Sequence, residues 1–297
     1  MTWLQLRLDV APSDVPELEE ILVATGAVAV TLEDNADQPV LEPGVGETPL
    51  WSQTKLTGLY PADTDMQVVL RRLPEDFLQP INHRVEILED KDWERAWMQH
   101  YQPMQFGQRL WVCPSWLEPP QADAINLLLD PGLAFGTGTH PTTALCLQQL
   151  DSLPLEGQTV VDFGCGSGIL AVAALKLGAS LALGVDNDPQ ALAASQENAL
   201  RNDITPENLP ATLPQQVNQK FWAQRADVVI ANILAGPLVE LSDTLLEFLK
   251  PGGVLLLSGL LQTQAATLCD HYADRIALEI VAEKDDWICL RGNLPFR

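Results

Sequence analysis

Thr159-Val160-Val161-Asp162-Phe163-Gly164-Cys165-Gly166-Ser167-Gly168-Ile169-Leu170 decides the fold of this chain. Residues 159–163 form a short apolar run of strand length. Residues 169–177 form a longer one of helix length, and alternate glycines stand at the joint. Glycines there let the backbone turn tightly and let a ligand approach the main chain without meeting a Cβ. Working outward, residues 181–185 read as the next strand and 189–201 as the helix behind it. Residues 227–231 read as a strand, 238–249 as a helix, Pro251-Gly252-Gly253 as a turn and 254–258 as another strand. Residues 276–282 and 287–291 suit an antiparallel closing pair, and the stretch 202–220 should hide one short strand. Strands alternating with helices imply a mostly parallel sheet, so this half of the chain is an α/β, Rossmann-like domain.

The first ninety residues follow a different plan. Residues 3–10 alternate apolar and polar positions, as a half-buried strand does. Ser13 and Asp14 offer an N-cap for a helix over 15–25, which Gly26 stops. Residues 27–32, 55–60 and 83–88 read as further strands, and Asp63 as the cap of a helix reaching Leu73. Residues 34–48 are rich in Pro, Gly and acid and look like a long hairpin loop. The order β-α-β-β-α-β is that of a small ferredoxin-like α+β domain. It carries no nucleophile, metal cluster or phosphate loop, so it reads as a recognition domain. Trp93, Trp97 and Tyr101 then stand one helical turn apart, a linker helix that Pro103 ends. The expected organisation is a ferredoxin-like domain over 1–89, a linker helix over 90–103 and a catalytic domain over 104–297.

Bulk properties narrow the function classes. No window of the 297 residues approaches the roughly 18 consecutive apolar residues of a membrane span. The amino terminus shows neither a basic region nor an apolar core of secretory type. The five cysteines are scattered without a Cys-x-x-Cys pair, which argues against a disulfide framework and a structural zinc site and for a reducing cytoplasm. A net charge of −23 repels nucleic acid and attracts a basic partner, or else serves solubility alone.

Three constellations carry chemistry. The first is the glycine turn, with Asp186 at the end of the next strand, where a carboxylate can accept both ribose hydroxyls of an adenosine. The second is the loop Asp130-Pro131-Gly132-Leu133-Ala134-Phe135-Gly136-Thr137-Gly138-Thr139-His140-Pro141-Thr142-Thr143, which runs into a helix with Pro141 near its first position. It lacks the Gly-Lys-Ser/Thr ending of a nucleoside-triphosphate loop. The third is Asn232 in Ala231-Asn232-Ile233-Leu234-Ala235, at the carboxyl edge of the sheet. There an amide can accept a hydrogen bond from an amine, or else cap the helix that follows. Gly166, Gly168 and Ala171 also satisfy a loose dinucleotide fingerprint. An NAD-dependent oxidoreductase therefore stays open at this point.

Asp-x-Gly-x-Gly-x-Gly with a strand-end acid resembles the class I, seven-stranded methyltransferases. The loop 133–143, the turn 162–170, residues 231–237, the 93–101 helix and residues 106–114 resemble more narrowly the bacterial methyltransferases of ribosomal large-subunit protein eleven. The likeness spans essentially the whole chain. It implies S-adenosyl-L-methionine as cofactor and methylation of lysine ε-amino and α-amino groups on a basic ribosomal protein, with the N-terminal domain docking that protein. It implies cofactor contacts at Thr143, Gly164, Asp186 and Asn232, and Gly166 and Phe135 join them as candidates. Asn232 is also the candidate for positioning the amine. Related amine methyltransferases carry Asn-Pro-Pro-Tyr where this chain has Asn232-Ile233-Leu234-Ala235, so which residue shapes the amine channel is left open. Neither nucleic acid nor membrane is an expected partner, and no metal is expected. RNA or a small molecule is the alternative acceptor; net acidity speaks against the first and the extra domain against the second. The sequence nominates no general base: His140 reads as a structural or loop residue and Cys165 as packing.

Overall fold

The computed structural model describes residues 2–36, 38, 49–77, 83–88, 101–130 and 138–296. The chain divides into two compact units, Met1–His100 and Tyr101–Arg297. In the first unit β1 (Trp3–Val10), α1 (Val15–Ala24), β2 (Ala29–Asp34), β3 (Thr54–Pro61), α2 (Met66–Leu70) and β4 (His83–Leu88) succeed one another. The strands pair antiparallel in the order β2-β3-β1-β4, which is the ferredoxin-like arrangement. Leu6 and Leu8, two apart on β1, lie on one face and pack with Leu18 and Leu22 of α1 and Val69 of α2.

Two caps differ from expectation. Asp65, not Asp63, caps α2, its Oδ1 accepting from the Gln67 amide at 3.0 Å. Asp14 stands at the N-cap of α1 without a side-chain cap bond; its carboxylate accepts from the Ser13 hydroxyl at 3.0 Å instead. Most of the loop expected over 34–48 lies outside the described residues. So does the linker helix as far as residue 100, with Trp93 and Trp97. Tyr101 is described, and its ring lies 6.4 Å from that of Trp116.

The second unit begins with a small sheet that sequence reading does not anticipate: β5 (Met104–Phe106), β6 (Leu110–Cys113) and β7 (Ile125–Leu128). Two buried polar side chains fasten it. Asp151, at the end of α3 (Pro141–Ser152), accepts from the Gln108 amide in the β5–β6 turn at 2.7 Å. Asn202 accepts from the Leu128 amide at 2.7 Å and donates to its carbonyl at 2.8 Å. Such bonds satisfy backbone groups that burial would otherwise strand, at about 1–3 kcal/mol each.

The main sheet is built from β8 (Thr159–Phe163), β9 (Leu181–Val185), β10 (Ala211–Thr212), β11 (Ala226–Asn232), β12 (Leu249–Leu261), β13 (Glu279–Lys284) and β14 (Trp287–Asn293). Its order is β10-β9-β8-β11-β12-β14-β13, parallel except where β14 pairs with β12 and β13. This is the seven-stranded class I methyltransferase plan. The short strand hidden in 202–220 is β10. The helices are α4 (Ile169–Lys176), α5 (Pro189–Arg201), α6 (Gln219–Trp222), α7 (Ala235–Glu240), α8 (Ser242–Phe248) and α9 (Ala265–Tyr272).

Both faces of the sheet are covered, which explains why its strands read as unbroken apolar runs. Val160 packs into one core cluster, and Val161 and Phe163 into the other. The helix expected over 238–249 is two helices, α7 and α8, joined at Leu241. The Pro251-Gly252-Gly253 turn lies within β12 as a bulge, where pairing with β11 jumps from Leu249 to Val254. Among the described residues, no helix is long and apolar enough to cross a membrane.

Candidate active site

A cavity of about 610 Å³ lies along the carboxyl edge of the main sheet, where an open α/β fold places its ligand crevice. Consecutive strand ends line it: Asp186 after β9, Phe163 and Gly164 at β8, Asn232 and Ile233 at β11, Gly259 in β12 and Trp287 opening β14. His140 and Thr142, at the start of α3, form part of the wall.

The glycine turn makes the floor. Gly164 has φ of +78°, and a Cβ there would lie 2.3 Å from Ile233 Cγ2, so the turn and the β11 loop close together only without a side chain. Gly168 stands at the N-cap of α4 with φ of +77°, and a Cβ there would lie 2.9 Å from the Ser195 side chain. Cys165 is buried with Sγ 3.4 Å from Ser195 Oγ, and burial pushes its thiol well above the ordinary range. That is a packing residue, as expected, not a nucleophile.

Asp186 is half-buried at the end of β9. Its Oδ2 accepts from the Gly166 amide at 2.9 Å and its Oδ1 from the Asp188 amide at 3.0 Å. A carboxylate has about four acceptor positions, so two backbone bonds orient it and leave capacity for a ligand's hydroxyls.

Asn232 ends β11. Its Nδ2 donates to the hydroxyl of Thr143, in the first turn of α3, at 3.4 Å. Its Oδ1 is buried and has no partner among the described residues. The N-cap of α7 is Leu234, so Asn232 does not cap the following helix. A buried acceptor left unpaired costs about 1–3 kcal/mol, a cost that an incoming donor would offset.

Beneath the turn, Asp162 is fully buried on β8. Its Oδ2 accepts from the Ala171 amide at 3.1 Å, while Oδ1 has no partner among the described residues. Burial pushes its carboxyl up to about 7, outweighing the Ala171 bond that pulls it down. His140 caps α3, its Nδ1 accepting from the Thr142 amide at 3.4 Å. The same Nδ1 lies 2.7 Å from the Thr142 hydroxyl, and burial lowers the ring's pKa. Both contacts engage Nδ1 at the helix start, which is a structural role.

Of the residues expected at the site, Gly164, Asp186 and Asn232 line the cavity. Thr143 and Gly166 do not line it but bond to residues that do, Asn232 and Asp186. Phe135 lies outside the described residues. Sequence reading missed Trp287, Pro214, Asn187 and Gly259. Trp287 carried the one available signal, a lone aromatic opening a closing strand. No group of three or more His, Cys, Asp or Glu suited to a metal occurs among the described residues.

The comparisons with known proteins agree with one another. A family model described as ribosomal protein L11 methyltransferase (PrmA) matches residues 2–294. The chain is 54% identical over 295 residues to the ribosomal protein L11 methyltransferase of Serratia proteamaculans, covering 99% of each. It is 51% identical over 293 residues to that of Saccharophagus degradans, covering 98% of this chain and 99% of the relative. Among solved structures, a ribosomal protein L11 methylase from Lactobacillus delbrueckii subsp. bulgaricus matches with a TM-score of 0.58 at 31% identity. That match covers 66% of this chain and 100% of the other.

Proposed function

Because the chain belongs to the ribosomal protein L11 methyltransferase family, we propose that it transfers methyl groups from S-adenosyl-L-methionine to lysine ε-amines and the α-amine of that ribosomal protein. The observation that carries the reading is the pairing, in one crevice, of an oriented ribose-type carboxylate at Asp186 with the unpartnered acceptor of Asn232.

The described residues fit the cofactor. Asp186 would take the ribose hydroxyls, the Gly164–Gly168 turn would let the nucleoside lie against the main chain, and Asn232 would supply an acceptor. When bound, the cofactor supplies an electrophilic methyl group on a sulfonium. The chain's own work is alignment, since an in-line displacement depends chiefly on geometry. The acceptor lysine must be neutral, and with a solution pKa of about 10.4 that costs roughly 4 kcal/mol near pH 7.5. Around the cavity the only acidic side chain among the described lining residues is Asp186. The apolar side chains beside Asn232, namely Ile233, Leu234, Pro237 and Leu241, disfavour an ammonium, which makes the proton easier to lose. Asn232 Oδ1 would then accept a remaining N–H of the amine and aim its lone pair. Residues 1–89 would dock the basic protein, drawn by the net charge of −23, in the cytoplasm.

Calorimetric titration with S-adenosyl-L-methionine and with NAD, followed by labelled methyl transfer to the ribosomal protein and to ribosomal RNA, tests this. Binding of S-adenosyl-L-methionine alone and label on protein alone are expected. Binding of NAD, or label on RNA, would contradict the reading.

A further inference from the structure

The order of the sheet orders the crevice. Asp186 ends β9, Asn232 ends β11 and Trp287 opens β14, and the intervening order is β9-β8-β11-β12-β14. Asn232 therefore stands two strand spacings from each of the other two residues. At about 4.8 Å per strand, Asp186 and Trp287 lie roughly 19 Å apart along the edge. If a nucleoside occupies the Asp186 end and the reacting centre lies near Asn232, the length between Asn232 and Trp287 is left for the acceptor. Ile233, Leu234, Pro237 and Leu241 line the cavity as well, and all are apolar. Trp287 is half-buried, and its ring lies 5.1 Å from that of His140 at 68°, an edge contact that fixes the indole against the N-terminus of α3.

We propose that Trp287, held by His140, is the aromatic wall of the acceptor channel and sets how far an amine can be methylated. The inference rests on the methyltransferase reading of the crevice. It also answers the question left by Asn232-Ile233-Leu234-Ala235, which brings no aromatic of its own. The aromatic comes instead from β14, 55 residues further along the chain by the difference of the two numbers. An indole attracts ammonium and methylammonium groups through its negatively polarised face, a weaker hold on the charged form than a carboxylate would give. As methyl groups replace hydrogens, the amine loses donors for Asn232 Oδ1 but keeps its attraction to the ring. Trp287 should therefore matter more for the second and third transfers than for the first.

The test compares Trp287→Phe and Trp287→Leu with the wild type, both replacements keeping an apolar side chain in the wall. The readouts are the Kd for S-adenosyl-L-methionine, the calorimetric Kd for an acceptor peptide carrying trimethyllysine, and the distribution of mono-, di- and trimethylated product. The expected result is a cofactor Kd within about twofold of wild type in both variants. Trp287→Leu should bind the trimethyllysine peptide about tenfold more weakly, which is ~1.4 kcal/mol, and should stall at monomethyl product, while Trp287→Phe keeps most of both properties. Peptide affinity and product distribution unchanged in Trp287→Leu would overturn the inference, and so would a cofactor Kd that weakens in step with the peptide Kd. The wild type's own transfer to the ribosomal protein reports separately on the proposed function. Variant-to-wild-type ratios on whichever amine the wild type does methylate report on Trp287.

Discussion

Asn232 Nδ2 donates to Thr143 Oγ1 at 3.4 Å, tying the end of β11 to the first turn of α3 across 89 residues of sequence. In this arrangement the nitrogen is engaged by a hydroxyl and the oxygen is the atom left as acceptor. Two segments that sequence reading singled out separately thus act as one unit. Thr143→Val, close in shape and without the hydroxyl, should slow methyl transfer about tenfold, the worth of one neutral hydrogen bond. Thr143→Ser should restore it. Steady-state kinetics at saturating cofactor decides, and equal rates for valine and wild type would show that Asn232 is oriented by something else.

Asp186 holds the glycine turn through Gly166 and its own strand end through Asp188. Asp186→Ala should weaken S-adenosyl-L-methionine binding by roughly 1.5–3 kcal/mol, the worth of a charge-assisted hydrogen bond. Asp186→Asn should fall between. Calorimetry measures both, and an unchanged Kd in Asp186→Ala would place the adenosine elsewhere.

Asp162 gives a pH signature. Its folded carboxyl titrates near 7, above the ordinary value of 3.8, because burial disfavours the charge. Between those two values the folded chain keeps a proton that the unfolded chain has released. This contribution to stability is therefore complete at the acid end and is lost as pH rises through about 7. The slope is on the order of 1.4 kcal/mol per pH unit. Asp162→Asn, neutral at every pH, should remove it, so urea midpoints of wild type and variant should diverge between about pH 4 and pH 7. Parallel curves would mean that Asp162 stays ionised.

How much of this was legible in the sequence depends on the range of the interactions. The β8–glycine–α4 joint was plain because Val160, Val161 and the alternate glycines encode it locally. The ferredoxin-like order was likewise visible in period-two strands such as β1. The break between α7 and α8 was not, because Ser242 is held by partners distant in sequence: its hydroxyl bonds His271 at 2.9 Å and Arg275 at 3.1 Å. Asp63 reads as the cap of α2, two residues too early, because the Gln67 amide that selects Asp65 is seen only in the folded backbone. The three-residue β5 and four-residue β6 are too short for periodicity to register. Trp287 read as sheet closure because its meeting with His140 depends on β14 lying beside β12.

The acidic field should govern encounter. With a net charge of −23 and a basic acceptor, kcat/KM for the ribosomal protein should fall steeply from low to physiological salt, while cofactor affinity changes little. Stopped-flow association across a salt series measures it. A flat response would return the charge to solubility.

The most direct measurement is residue-resolved mass spectrometry of the ribosomal protein after incubation with the chain and methyl-labelled S-adenosyl-L-methionine, run beside Asn232→Ala. The wild type should place label on lysine ε-amines and the α-amine. Asn232→Ala should keep cofactor binding within about tenfold, one lost neutral hydrogen bond, and lose transfer by a larger factor. An unlabelled protein with the wild type, or label on carboxylates or on RNA, would contradict the account.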